Sequence, residues 1–187
     1  MTFTIDLLDP NTRPKAPPIE GATHAQRMHG RRLSLYHAMH LRQMAKAHAV
    51  IRKLEEGEAQ LTSLEDALTD LDMRQNYRLF GNICGQECQM LTGHHTIEDR
   101  YLFPVISAQA DEGIRAVVDR LIAEHGVIHD YIVRMEEAAV DVMNAPGPQT
   151  FAVLREAFET LEAFVKSHFG YEEQELEEAL GFYEIEI

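Results

Sequence analysis

Tryptophan is absent from this 187-residue chain, cysteine occurs twice, and 17 Lys and Arg stand against 31 Asp and Glu, a formal charge of −14. Each shortage excludes something. Two cysteines cannot build the disulfide framework of a small secreted domain. Cys84 and Cys88, at i,i+4 on one predicted helix, are poorly placed to bridge each other and read as small core residues in a reducing compartment. So acidic a surface, with no Lys/Arg run to compensate, repels phosphate backbones and anionic headgroups, which speaks against nucleic acid and membranes as partners. No stretch approaches the roughly 18 apolar residues of a membrane span. The opening Met1-Thr2-Phe3-Thr4-Ile5-Asp6 lacks the basic and apolar regions of a signal peptide. The expected setting is cytoplasmic.

What is present is an ordinary apolar fraction, 45%, on a length that suits one soluble domain, together with ten histidines. Four of the seven prolines fall between Pro10 and Pro18 in a stretch without apolar periodicity, so residues 1–22 are expected to form an extended N-terminal arm and residues 23–187 the domain. Four apolar stripes at helical spacing follow. The first opens with a capping box, Thr23 and Gln26, and runs through Leu33, His37, Leu41 and Met44 towards Gly57. The second runs from Ser63 past Leu91, His94, Glu98 and Leu102, with bends expected at Gly81 or Gly93 and a kink or stop at Pro104. The third starts near Glu112, carries Ile114, Leu121, His125, Ile128 and Ile132, and ends at the breaker Asn144-Ala145-Pro146-Gly147-Pro148. The fourth carries Phe158, Leu161, Val165, His168, Glu172 and Leu176 and is expected to stop at Gly181. Short turns between long amphipathic helices force antiparallel neighbours, so the predicted fold is all-α, an up-down-up-down antiparallel four-helix bundle with an extended arm.

Counting from helix ends places the unusual residues in space. His37 lies 14 residues after Thr23, His94 lies 13 before Ser107, His125 lies 13 after Glu112, and His168 lies 13 before Gly181. At about 1.5 Å per residue, each sits roughly 20 Å from the same end of the bundle. Glu98 and Glu172 each follow a histidine by four residues and share its helix face. A lone histidine on an apolar stripe is more often a hydrogen-bonded core residue than a ligand, which is the reading for His48. Four at one level with two carboxylates are different, because buried acids are costly unless paired or metal-bound. Imidazole with carboxylates able to bridge suits a dinuclear site, and two irons fit better than one zinc. There is no His-Glu-x-x-His, and no Glu-x-x-His of the ferritin kind.

The run from His94 to Pro104, His-His-Thr-Ile-Glu-Asp-Arg-Tyr-Leu-Phe-Pro, with Glu124-His125 and His168-Phe169-Gly170-Tyr171-Glu172-Glu173, resembles the hemerythrin-like HHE cation-binding domain. The resemblance covers about Ala25 to Leu180. It implies a four-helix bundle with a non-haem di-iron centre, two Fe ions joined by carboxylates and an oxo or hydroxo bridge. By position it implies His37, His94, Glu98, His125, His168 and Glu172 as metal ligands. It leaves His40 as an alternative to His37 and Glu173 as an alternative to Glu172. His129 completes a His-x-x-x-His with His125, as in the oxygen-carrying branch, and is included in the expected ligand set. His95 is expected outside the first ring of ligands or in the core, and Glu87 as a hydrogen-bond acceptor for a ligand. The resemblance implies O2, NO or peroxide as the small ligand, bound for sensing, storage or detoxification. The alternatives are a di-iron enzyme reducing peroxide or NO, an iron-sulfur repair protein and, remotely, a metal-free helical interaction module.

Overall fold

The computed structural model describes residues 9–55, 86–145 and 147–186. The expected start of the second helix at Ser63, a bend at Gly81, residue Cys84 and the Glu87 side chain lie outside what is described. Among the described residues every regular element is helical, in agreement with the all-α reading: α1 His24–Gly30, α2 Leu33–Glu55, α3 Gln86–Ile97, a π-helical turn Glu98–Leu102, α4 Phe103–Gln109, α5 Glu112–Asn144 and α6 Pro148–Phe182. No described helix is long and apolar enough to cross a membrane.

Local chemistry explains the boundaries. The Thr23 side chain accepts from the Gln26 backbone while the Gln26 side chain accepts from the Thr23 N–H, so the predicted capping box opens α1. The first predicted helix is interrupted at Arg31 and Arg32, where Ser34 Oγ donates to the Arg31 carbonyl at 2.7 Å. The helix assignment of α3 runs unbroken through Gly93. The departure from α geometry comes at Glu98–Leu102, where the Phe103 N–H reaches the Glu98 carbonyl, five residues back. Pro104 then occupies the first turn of α4, where a missing N–H costs little, so the chain stays helical to Gln109 instead of stopping. Gly181 does not end α6 either. The helix closes three residues later around Glu184, whose φ of 53° is left-handed, with Ile185 N–H donating to the Leu180 carbonyl at 2.9 Å.

Two compact units divide the chain. The first takes Met1–Met39, His94–Ile128 and Phe164–Ile187; the second takes His40–Gly93 and His129–Ala163. The core of the first unit packs Leu33, Phe103, Ile106, Ile114, Val117, Leu121, Leu176 and Leu180, all nearly inaccessible to solvent. Two glycines allow its tightest approach: a Cβ on Gly30 would collide with the Glu177 carbonyl of α6, and one on Gly181 with the Gln26 carbonyl of α1. Gly181 is therefore a packing residue, not a cap.

In the second unit Ile132, Met135, Val142, Leu154, Phe158 and Leu161 are buried. His48 Nδ1 meets the buried Glu162 carboxylate at 2.6 Å, a polar pair of the kind that a core histidine needs. Cys88 is disulfide-bonded, which corrects its reading as a reduced core thiol.

Candidate metal centre

Five histidines and two glutamates of the first unit form two adjoining groups. His37, His94, Glu98 and Glu172 make one, His95, His125 and His168 the other, and within each group the nearest potential ligand atoms all lie within 4.8 Å of one another. Helix periodicity explains most of the convergence. His94 and Glu98 are one turn apart, as are His168 and Glu172, so each pair shares a face. His94 Nε2 lies 3.1 Å from Glu98 Oε1, and His37 Nε2 lies 3.5 Å from Glu172 Oε2. The carboxylates also reach the second group: Glu98 Oε2 is 3.5 Å from His125 Nε2, and Glu172 Oε2 is 3.7 Å from His168 Nε2.

The surroundings are buried. His37, His168 and Glu172 are 0% exposed and Glu98 2%. No described donor outside the pair reaches the four carboxylate oxygens of Glu98 and Glu172, which have only each other. Two facing acids left in this state are held protonated: burial raises the Glu98 carboxyl well above its usual range, and the negative charges of Glu172 and Asp99 add to that. Burial likewise raises Glu172, helped by Glu173, Asp99 and Glu124. The imidazoles shift the other way. Burial, then the neighbouring His168 and His94, pushes His125 down to about 2, and burial lowers His168. Neutral imidazoles beside carboxylates without donors form a donor set that fits metal cations and is poorly satisfied without them.

A second ring of carboxylates orients the first. His37 Nδ1 bonds Glu173 Oε1 at 2.8 Å, His125 Nδ1 bonds Asp99 Oδ1 at 2.8 Å, and His168 Nδ1 bonds Glu124 Oε2 at 3.1 Å. With the three carboxylates as acceptors each Nδ1–H donates outwards, and the Nε2 atoms of His125 and His168 then meet at 3.0 Å with no proton between them, an arrangement that a cation would relieve. Ring packing adds to this. His37 lies flat on Phe169 with centroids 3.8 Å apart, and His125 is sandwiched between His95 at 4.0 Å and Phe103 at 5.6 Å.

The structure thus brings together His37, His94, Glu98, His125, His168 and Glu172. His40 is buried but belongs to neither group, and Glu173 serves His37 from outside the ring. His129, expected to chelate with His125, is exposed and stands outside both groups. The ring that joins His125 is His95 of α3. The sequence places His95 outside the first ring of ligands or in the core, since it is rotated from His94 by the roughly 100° that a helix turns per residue. That rotation is what lets two consecutive residues feed two adjoining groups. The adjacency His94-His95 was the available signal.

A family model described as the hemerythrin HHE cation binding domain matches residues 31–180 of the chain. No curated protein and no solved structure matches it.

Proposed function

The chain belongs to the hemerythrin HHE cation-binding family, and on that premise we propose that it holds two non-haem iron ions and binds O2, or a related small oxidant such as NO or peroxide, for sensing, storage or detoxification. One ion would be held by His37 and His94, the other by His95, His125 and His168, with Glu98 and Glu172 shared between them. The observation that carries this reading is the pair of buried carboxylates without hydrogen-bond donors between two groups of imidazoles. Imidazole and carboxylate suit iron, and bound iron supplies reversible, redox-linked affinity for small oxidants.

The residues of this chain set the rest. Three histidines against two would make the centre asymmetric, with fewer protein ligands on the His37 and His94 side and so room there for a small ligand. Phe169 and Phe103, both buried, pack on His37 and His125, apolar surroundings that would favour reversible binding over release of reactive products. Turnover of peroxide or NO, the competing reading, calls for exchangeable positions on both sides. The acid excess of the sequence speaks against nucleic acid as a partner, and a cytoplasmic setting belongs to the same proposal. Anaerobic loading with ferrous iron, followed by optical spectra on adding O2 or NO and then removing it, tests the reading. Reversible new absorption bands are expected. A folded, iron-loaded chain whose spectrum ignores both gases would overturn it.

A further inference from the structure

We propose that the N-terminal arm is part of the metal centre, because its Arg13 sets, through Glu124, the orientation and electron-donating strength of the ligand His168. The proposal rests on the iron reading above. Arg13 has a side chain only 6% exposed, and it grips the fully buried Glu124 in a fork, Nε to Oε1 at 2.8 Å and Nη2 to Oε2 at 2.9 Å. Its Nη1 donates to Ser167, to the carbonyl at 3.2 Å and to Oγ at 3.0 Å, and its guanidinium lies 4.7 Å over the Tyr171 ring. Glu124 Oε2, the oxygen held by Nη2, also accepts from His168 Nδ1 at 3.1 Å. A continuous chain of charged hydrogen bonds therefore links residue 13 to the ring whose Nε2 faces the centre.

Burying a guanidinium from an otherwise extended arm is costly unless it is fully paired, and every bond of Arg13 goes to this one spot. The arm is pinned on the far side as well, by Tyr171 Oη donating to the Pro14 carbonyl at 2.8 Å and by Ala16 N–H donating to Glu175 Oε2 at 2.7 Å. Arg120 Nε meets Glu124 Oε1 at 3.2 Å and its Nη2 donates to Thr12 Oγ1 at 2.7 Å, so the arm closes over the carboxylate from two directions. The physical consequence has a sign. Arg13 draws negative charge from Glu124 and so weakens its pull on the His168 Nδ1 proton. Without Arg13 the carboxylate pulls harder, His168 becomes the stronger donor, and the ferric state gains. Arg13 is thus a positioning residue that holds the potential up.

The test uses the full chain in two forms. In iron-loaded protein, Arg13→Met should keep its iron and shift the midpoint potential down, Arg13→Lys should recover part of the shift, and Glu124→Gln, which removes the negative charge, should shift it up. Glu175→Gln, which loosens the arm at Ala16 and leaves the fork intact, should lower the melting temperature without moving the potential. In metal-free protein, Arg13→Met should move the His168 Nδ1 proton resonance downfield. That readout needs no iron, so it separates failure of this proposal from failure of the iron reading. An unmoved resonance in Arg13→Met would overturn the proposal, as would potential shifts of the same sign for Arg13→Met and Glu124→Gln, or an equal shift in Glu175→Gln. Should Arg13→Met fail to fold, Arg13→Lys and Glu124→Gln still carry the test.

Discussion

His94 and His95 are consecutive residues of α3 that serve different groups: His94 Nε2 lies 3.1 Å from Glu98 Oε1, while the His95 ring stacks on His125 with centroids 4.0 Å apart. A helix turns about 100° per residue, so neighbours can straddle a centre that is wider than one ion. On our proposal the fifth imidazole of the centre therefore comes from the His94-His95 pair, and not from the histidine one turn after His125.

Replacing His95 should separate the two ions. His95→Ala is expected to weaken binding of one iron by at least ~10-fold while the other is retained. His129→Ala should leave both, because its ring is exposed. Iron titration followed by colorimetric metal analysis compares the two variants. Loss of iron from His129→Ala with none from His95→Ala would reverse the assignment.

The level count made His37, His94, His125, His168, Glu98 and Glu172 legible, since helical periodicity fixes both the face and the height of a residue on a straight helix. What it could not supply were partners that depend on the neighbours of a helix. His95 needed a second group beside the first, and Asp99, Glu173 and Glu124 needed the rings they orient. Arg13 was hidden because an arm without periodicity has no face to predict. Pro104 misled because the π turn at Glu98–Leu102 immediately before it lets the helix restart. Gly181 misled because a glycine near a helix end reads as a cap, while here the space it leaves is filled by the Gln26 backbone.

Those glycines should be intolerant of a methyl group. Gly30→Ala and Gly181→Ala each drive a Cβ into a backbone carbonyl that cannot rotate away, and a loss of about 1–3 kcal/mol is expected. Gly126→Ala meets nothing within 4 Å and should instead gain roughly 0.5–1 kcal/mol from helix propensity. Urea unfolding of the three variants checks the contrast. Equal stability of all three would remove the close α1–α6 packing.

Metal uptake should release protons at neutral pH. The buried Glu98 and Glu172 carboxyls are raised in the metal-free protein, so both retain protons above the ordinary 4.5, whereas His125 and His168 are lowered and already neutral. Ligation requires the carboxylates ionised. The sign for stability follows. The raised acids favour the metal-free fold at low pH, and that contribution is lost as pH rises through their folded values. The lowered histidines contribute above the ordinary 6.5 and lose that contribution as pH falls below it. Above 6.5 only the acids remain in play. The melting temperature of metal-free protein should therefore fall with pH relative to that of the loaded form, and adding metal in weak buffer should acidify the solution. No proton release would contradict the buried, protonated pair.

Removing one of the two facing acids should stabilise the empty protein while destroying the centre. Glu172→Gln replaces an acid that burial disfavours with an amide able to donate to Glu98, and the metal-free melting point is expected to rise by the equivalent of about 1 kcal/mol. Chelation is expected to lower the melting temperature of the parent and to leave that of this variant unchanged. A destabilised metal-free Glu172→Gln would mean that the acids are satisfied without metal.

The central claim is that two groups of imidazoles share two carboxylates around two irons, and metal content per folded chain tests it most directly. Protein produced with ample iron and freed of loosely bound metal should hold about two irons per chain by elemental analysis. A folded chain that carries no metal, or a single zinc, under the same conditions would contradict it.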